Sequence, residues 1–178
     1  DLLVSDAWYD SHRGKVYSFL GGPDGLHGGA TSPAWSDTGE AAGSGFGVAV
    51  ADAGDVNGDG YADVAVAATG YDGNRGKVYV YHGGANGVTG TASAPAWSAT
   101  GEAQGDLFGI GIAGAGDVNG DGYADLIVVA SGDGAQPFSS KVYVFQGGIT
   151  GLAASPAWSA VRATPGGRAG AAAAARPR

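Results

Sequence analysis

The chain has 178 residues, 44% hydrophobic and 15% charged, a globular balance rather than a disordered one. It carries 17 acids against nine basic residues, and all the acids but only five of the basic residues fall within 1–160. So acidic a body repels nucleic acid and anionic surfaces, and no apolar run reaches the ~18 residues of a spanning helix, which argues against membrane insertion.

In chain order, glycine (36 residues) is interleaved with Val, Ile, Tyr and Trp, which predicts many short strands joined by tight turns and no long helix. "GKVY" at 14–17 and "PAW" at 33–35 come first, and both return later. From 46 the chain reads "FGVAVADAG", then "DVNGDGYAD" at 55–63, then "VAVA", "YDGNRG", "KVYVY" and "PAWSATGEA". "VAVA" and "KVYVY" are apolar or alternating, β-branched or aromatic, and bounded by glycine, so both are predicted strands. The series then begins again with "FGIGIAGAG" at 108–116 and an identical "DVNGDGYAD" at 117–125. Tryptophans 35, 97 and 158 are spaced by 62 and 61 residues.

A unit of about sixty residues with four short strands points to blades of a β-propeller, an all-β fold. The expected organisation is a partial blade at 1–42, a complete blade at 43–104, most of a further blade at 105–160, and a disordered low-complexity tail at 161–178. Packing between neighbouring blades explains the periodic tryptophans better than stacking against a sugar ligand. An open fan of blades leaves edges unpaired, so the expected partners are the remaining blades of a larger propeller or a second copy of the chain. A protein or carbohydrate ligand is a further expectation.

The two acidic loops carry the chemistry. Asp55, Asn57 and Asp59 alternate, Gly60 permits a sharp turn, the Tyr61 carbonyl adds a backbone oxygen, and Asp63 closes the set. Asp117, Asn119, Asp121, the Tyr123 carbonyl and Asp125 repeat it. Hard oxygen donors at this density suit Ca²⁺, so two calcium sites are expected. Zinc lacks its usual His or Cys donors here, cysteine being absent from the chain. An EF-hand would place Glu at the twelfth loop position, where Val66 and Val128 stand.

The run "FGVAVADAGDVNGDGYADVAVAATGYDGNRGKVYVYHGG" resembles an FG-GAP repeat, the blade unit of integrin α-subunit propellers and their bacterial relatives. Phe46–Gly47 and Phe108–Gly109 match the "FG", whereas "AAT" (67–69) and "VAS" (129–131) stand in place of "GAP". The resemblance implies a loop that joins the first two strands of a blade and binds Ca²⁺. It also implies a non-catalytic module for adhesion or ligand interaction on a secreted or cell-surface protein. The alternative reading is an accessory propeller domain of a secreted hydrolase. No catalytic constellation appears: the three histidines are dispersed, and Ser44 lacks the first glycine of a nucleophile elbow.

Overall fold

The computed structural model describes residues 1–26, 31–132 and 139–163. The protein is all-β, built of antiparallel sheets that are partial propeller blades without a closed ring. The first sheet joins β1 (Leu2–Asp6), β2 (Lys15–Phe19) and β5 (Trp35–Thr38), with the small hairpin β3 (Gly21–Gly22) and β4 (Gly25–Leu26) beside it. The second runs β6 (Phe46–Gly54), β7 (Asp63–Ala68), β8 (Lys77–Tyr81) and β9 (Trp97–Thr100) in sequence order. The third runs β10 (Gly111–Gly116), β11 (Asp125–Ala130), β12 (Ser139–Phe145) and β13 (Trp158–Ala163) in the same way. Strand β13 continues to Ala163, the third residue of the expected tail, and residues 164–178 lie outside the described residues.

Register follows the repeat. Val66 faces Tyr79 across β7 and β8, and Val128 faces Tyr143 across β11 and β12. All six residues of β7 are buried, because β6 and β8 cover its edges and neighbouring sheets cover its faces. Strand β1 occupies the position of β7 in the first sheet, but only β2 pairs with it, and Leu2 and Val4 are exposed.

The tryptophans join the sheets. Trp35, on the first sheet, lies 5.0 Å from the Tyr81 ring of the second and donates its indole N–H to the Gly90 carbonyl at 3.0 Å. Trp97 repeats this one sheet further on, 4.8 Å from Phe145 and 3.0 Å from the Ala153 carbonyl. Trp158, on the last sheet, is 54% exposed. The periodicity is therefore that of packing between blades. Glu40 and Glu102 add ion pairs across the same joints, Glu40 to Lys77 at 2.7 Å and Glu102 to Lys141 at 2.5 Å.

The segments Tyr9–His12 (α1) and Tyr71–Asn74 (α2) are left-handed turns. Asp10, Ser11 and His12 have φ of 45°, 57° and 62°, and Asp72, Gly73 and Asn74 have 46°, 66° and 64°. Asp and Asn tolerate this region better than most residues. Each turn is braced by an arginine three residues after its aspartate, Arg13 to Asp10 at 3.0 Å and Arg75 to Asp72 at 2.7 Å.

Candidate metal loops

Each acidic loop joins the first and second strands of its sheet, β6 to β7 and β10 to β11. The first aspartate organises the turn. Asp55 Oδ1 accepts the N–H groups of Gly58 (2.7 Å) and Asp59 (3.0 Å), and Oδ2 accepts Gly60 N–H (2.8 Å). Asp117 does the same for Gly120, Asp121 and Gly122 at 2.7, 3.1 and 2.8 Å. Donation by Gly122 and its neighbours holds the Asp117 carboxyl below the ordinary aspartate range.

The third and fifth positions pair with each other. Asn57 Nδ2 donates to Asp59 Oδ2 at 2.8 Å, and Asn119 Nδ2 to Asp121 Oδ2 at 2.7 Å. Asp59 Oδ1 also accepts Tyr61 N–H at 2.9 Å. The Asn57 bond, then the Tyr61 bond, keep Asp59 below the ordinary range. Asp59 and Asp121 stay open to solvent at the loop surface.

Asp63 and Asp125 are different. Both are buried, and both spend each carboxylate oxygen on a backbone N–H. Asp63 accepts from Val56 (2.9 Å) and Gly83 (2.8 Å), and Asp125 from Val118 (2.8 Å) and Gly147 (2.9 Å). Burial raises the Asp63 pKa, against the two donated bonds that lower it. Asp1, at the corresponding position of the first sheet, accepts Gly21 N–H at 2.8 Å. This aspartate thus pins the loop to the turn after the third strand of its own sheet.

The anchoring role of Asp63 and Asp125, expected only as oxygen donors, is not visible in the sequence, because Gly83 and Gly147 become their neighbours only through sheet pairing. Among the described residues no group of three or more His, Asp or Glu side chains stands close enough together to hold a metal ion. The donor set is hard oxygen throughout, which fits calcium chemistry. Removing the anchor should destabilise the chain on its own. Asp63→Ala leaves two backbone N–H groups unpaired, for an expected loss of about 2–6 kcal/mol at ~1–3 kcal/mol for each buried orphan. Denaturant midpoints measured in chelator check this, and a loss below half a kcal/mol would contradict the anchoring role.

A residue between the oxygen donors also matters. Val56 is fully buried in the core between the second and third sheets, and its carbonyl accepts Gly148 N–H at 3.0 Å. The Asp55 carbonyl accepts Ala124 N–H at 2.9 Å. The loop of one blade is therefore seated on the next. The recurrence of valine as Val118, whose side chain cannot ligate a cation, is the sequence signal for this.

A family model for the FG-GAP-like repeat matches residues 55–128, which span both loops and the sheet between them. The chain carries FG-GAP-like repeats. Integrin alpha-6 of Gallus gallus is 45% identical over 97 residues, which are 54% of this chain and 9% of that protein. Integrin alpha-IIb of Mus musculus is 36% identical over 157 residues, 82% of this chain and 14% of that protein, and integrin alpha-IIb of Homo sapiens is 38% identical over 141 residues, 74% and 13%. The matched repeats are thus a small part of these relatives. Among the described residues no helix is long and apolar enough to cross a membrane.

Proposed function

We propose that these FG-GAP-like repeats are a calcium-binding, non-catalytic propeller module that serves adhesion or ligand interaction on a secreted or cell-surface protein. Asp55, Asn57, Asp59, the Tyr61 carbonyl and Asp63 form one site, and Asp117, Asn119, Asp121, the Tyr123 carbonyl and Asp125 the other. The similarity to integrin alpha chains supports the adhesion setting. The observation that carries the calcium reading is the exact recurrence of nine residues at the same turn of two successive sheets. Ion binding requires Asp59 and Asn57 to exchange their mutual bond for the cation, a rearrangement open to side chains near the surface.

Calorimetric titration of the metal-stripped chain with Ca²⁺ tests the reading. Two sites are expected, at about 10⁻⁴–10⁻³ M if they resemble those of other extracellular modules. The melting temperature should rise with occupancy, since binding to the folded state alone stabilises it. Asp59→Ala and Asp121→Ala should each remove one site. A cooperative melt with no heat and no shift would reject calcium as the ligand.

A further inference from the structure

The two acidic loops are connected to each other across the joint between the second and third sheets. Asp63 accepts the Val56 N–H at 2.9 Å, and the Val56 carbonyl accepts Gly148 N–H at 3.0 Å. The adjacent Gly147 N–H donates to Asp125 at 2.9 Å. The closing aspartate of the first loop thus reaches that of the second by way of Val56, which plugs the core between the two sheets.

A second connection runs beside the first. Ala124 N–H donates to the Asp55 carbonyl at 2.9 Å, and Ala124 stands between Tyr123 and Asp125, two of the oxygen donors of the second loop. Gly54, just before Asp55, lies so near that an added Cβ would come within 2.7 Å of the Ala124 Cβ. Gly58 approaches the Tyr123 ring as closely, at 2.6 Å by the same measure. Glycine permits both approaches because it has no Cβ to collide.

We infer that the two loops take up calcium with positive coupling, so that filling either one raises the affinity of the other. The inference rests on the calcium reading of the loops and adds to it. Ordering a loop costs conformational entropy, and a loop ordered in advance by its neighbour is cheaper to fill. With the Tyr123 carbonyl and the Asp125 carboxylate both engaged, Ala124 is fixed from either side, and so is the N–H group that holds Asp55. Coupling in the reverse direction is then required by linkage. Charge acts the other way, since a cation in one loop weakens the attraction of the chain for the next. Salt screens that effect, whereas the hydrogen-bonded backbone persists.

The test is titration of the full chain with Ca²⁺ at physiological salt, followed by calorimetry and by amide resonances, beside Asp59→Ala and Asp121→Ala. Both positions are exposed, and the variants keep the buried anchors Asp63 and Asp125. The unaltered chain should titrate more steeply than a single-site curve. The site left in each variant should bind about fivefold more weakly, or worse, than the same site in the intact chain with its neighbour filled. The two losses should be equal, because coupling between binding sites is reciprocal. In Asp121→Ala, filling the first loop should also shift the amide resonances of Ala124 and Gly148. Undiminished or tighter binding in the single-loop variants would overturn the inference, and so would unmoved Ala124 and Gly148 amides. Two independent calcium sites thus reject the coupling alone. No heat from any of these chains rejects the calcium reading, and the coupling with it.

Discussion

Trp97→Ala should lower stability by about 3–5 kcal/mol, the usual cost of truncating a large buried aromatic side chain. The indole is 9% exposed, packs 4.8 Å from Phe145, and donates to the Ala153 carbonyl at 3.0 Å. The substitution leaves a void between the second and third sheets and an unsatisfied carbonyl. Trp97→Phe keeps most of the ring and loses the bond, so about 1 kcal/mol of the loss should belong to the hydrogen bond. Trp158→Ala is the internal control. That side chain stands at the same phase of the repeat with no sheet beyond it, and should cost no more than about 0.5 kcal/mol. Thermal and denaturant melts of the three variants decide the matter. Equal losses at Trp97 and Trp158 would mean that the tryptophans stabilise their own sheets instead of joining neighbours.

The phase of the repeat was legible because it is written several times. Tryptophan spacing, the returning "KVYVY" pattern and the identical acidic nonapeptide placed the strands and set the loops between β6 and β7 and between β10 and β11. The role of Trp35 and Trp97 followed from the same argument, since a residue that recurs once per blade serves what recurs once per blade.

What stayed hidden depends on groups that sequence cannot bring together. The anchoring bonds of Asp63 and Asp125 reach glycines 20 and 22 residues away, across a strand pairing. The plugging role of Val56 depends on residues of the next sheet, Leu126 and Gly148 among them, far along the chain. The turns at Tyr9–His12 and Tyr71–Asn74 place consecutive residues at positive φ and are braced by Arg13 and Arg75. Ser44, considered by sequence as a failed nucleophile elbow, is buried and donates to the Arg13 carbonyl at 3.1 Å, a structural duty. His27 and the segment 133–138 lie outside the described residues.

Gly76→Ala should destabilise the chain by more than about 3 kcal/mol, through two separable effects. The residue has φ +83°, where a Cβ costs ~1–2 kcal/mol against the following carbonyl. A Cβ built there would also lie 2.3 Å from the Phe108 carbonyl oxygen and 2.5 Å from the Phe108 nitrogen, and neither backbone atom can swing aside as a side-chain tip could. Phe108 N–H donates to the Arg75 carbonyl at 3.1 Å, so relief of the clash must break the contact that brings the third repeat against the second. Gly105→Ala separates the effects: φ is +86° there, and nothing lies within 4 Å of the added carbon. That variant should lose only the conformational part, about 1 kcal/mol. Similar losses at the two glycines would show that backbone conformation alone governs both positions. A larger loss at Gly76 identifies the close approach of Gly76 to Phe108 as a joint that holds successive blades in phase.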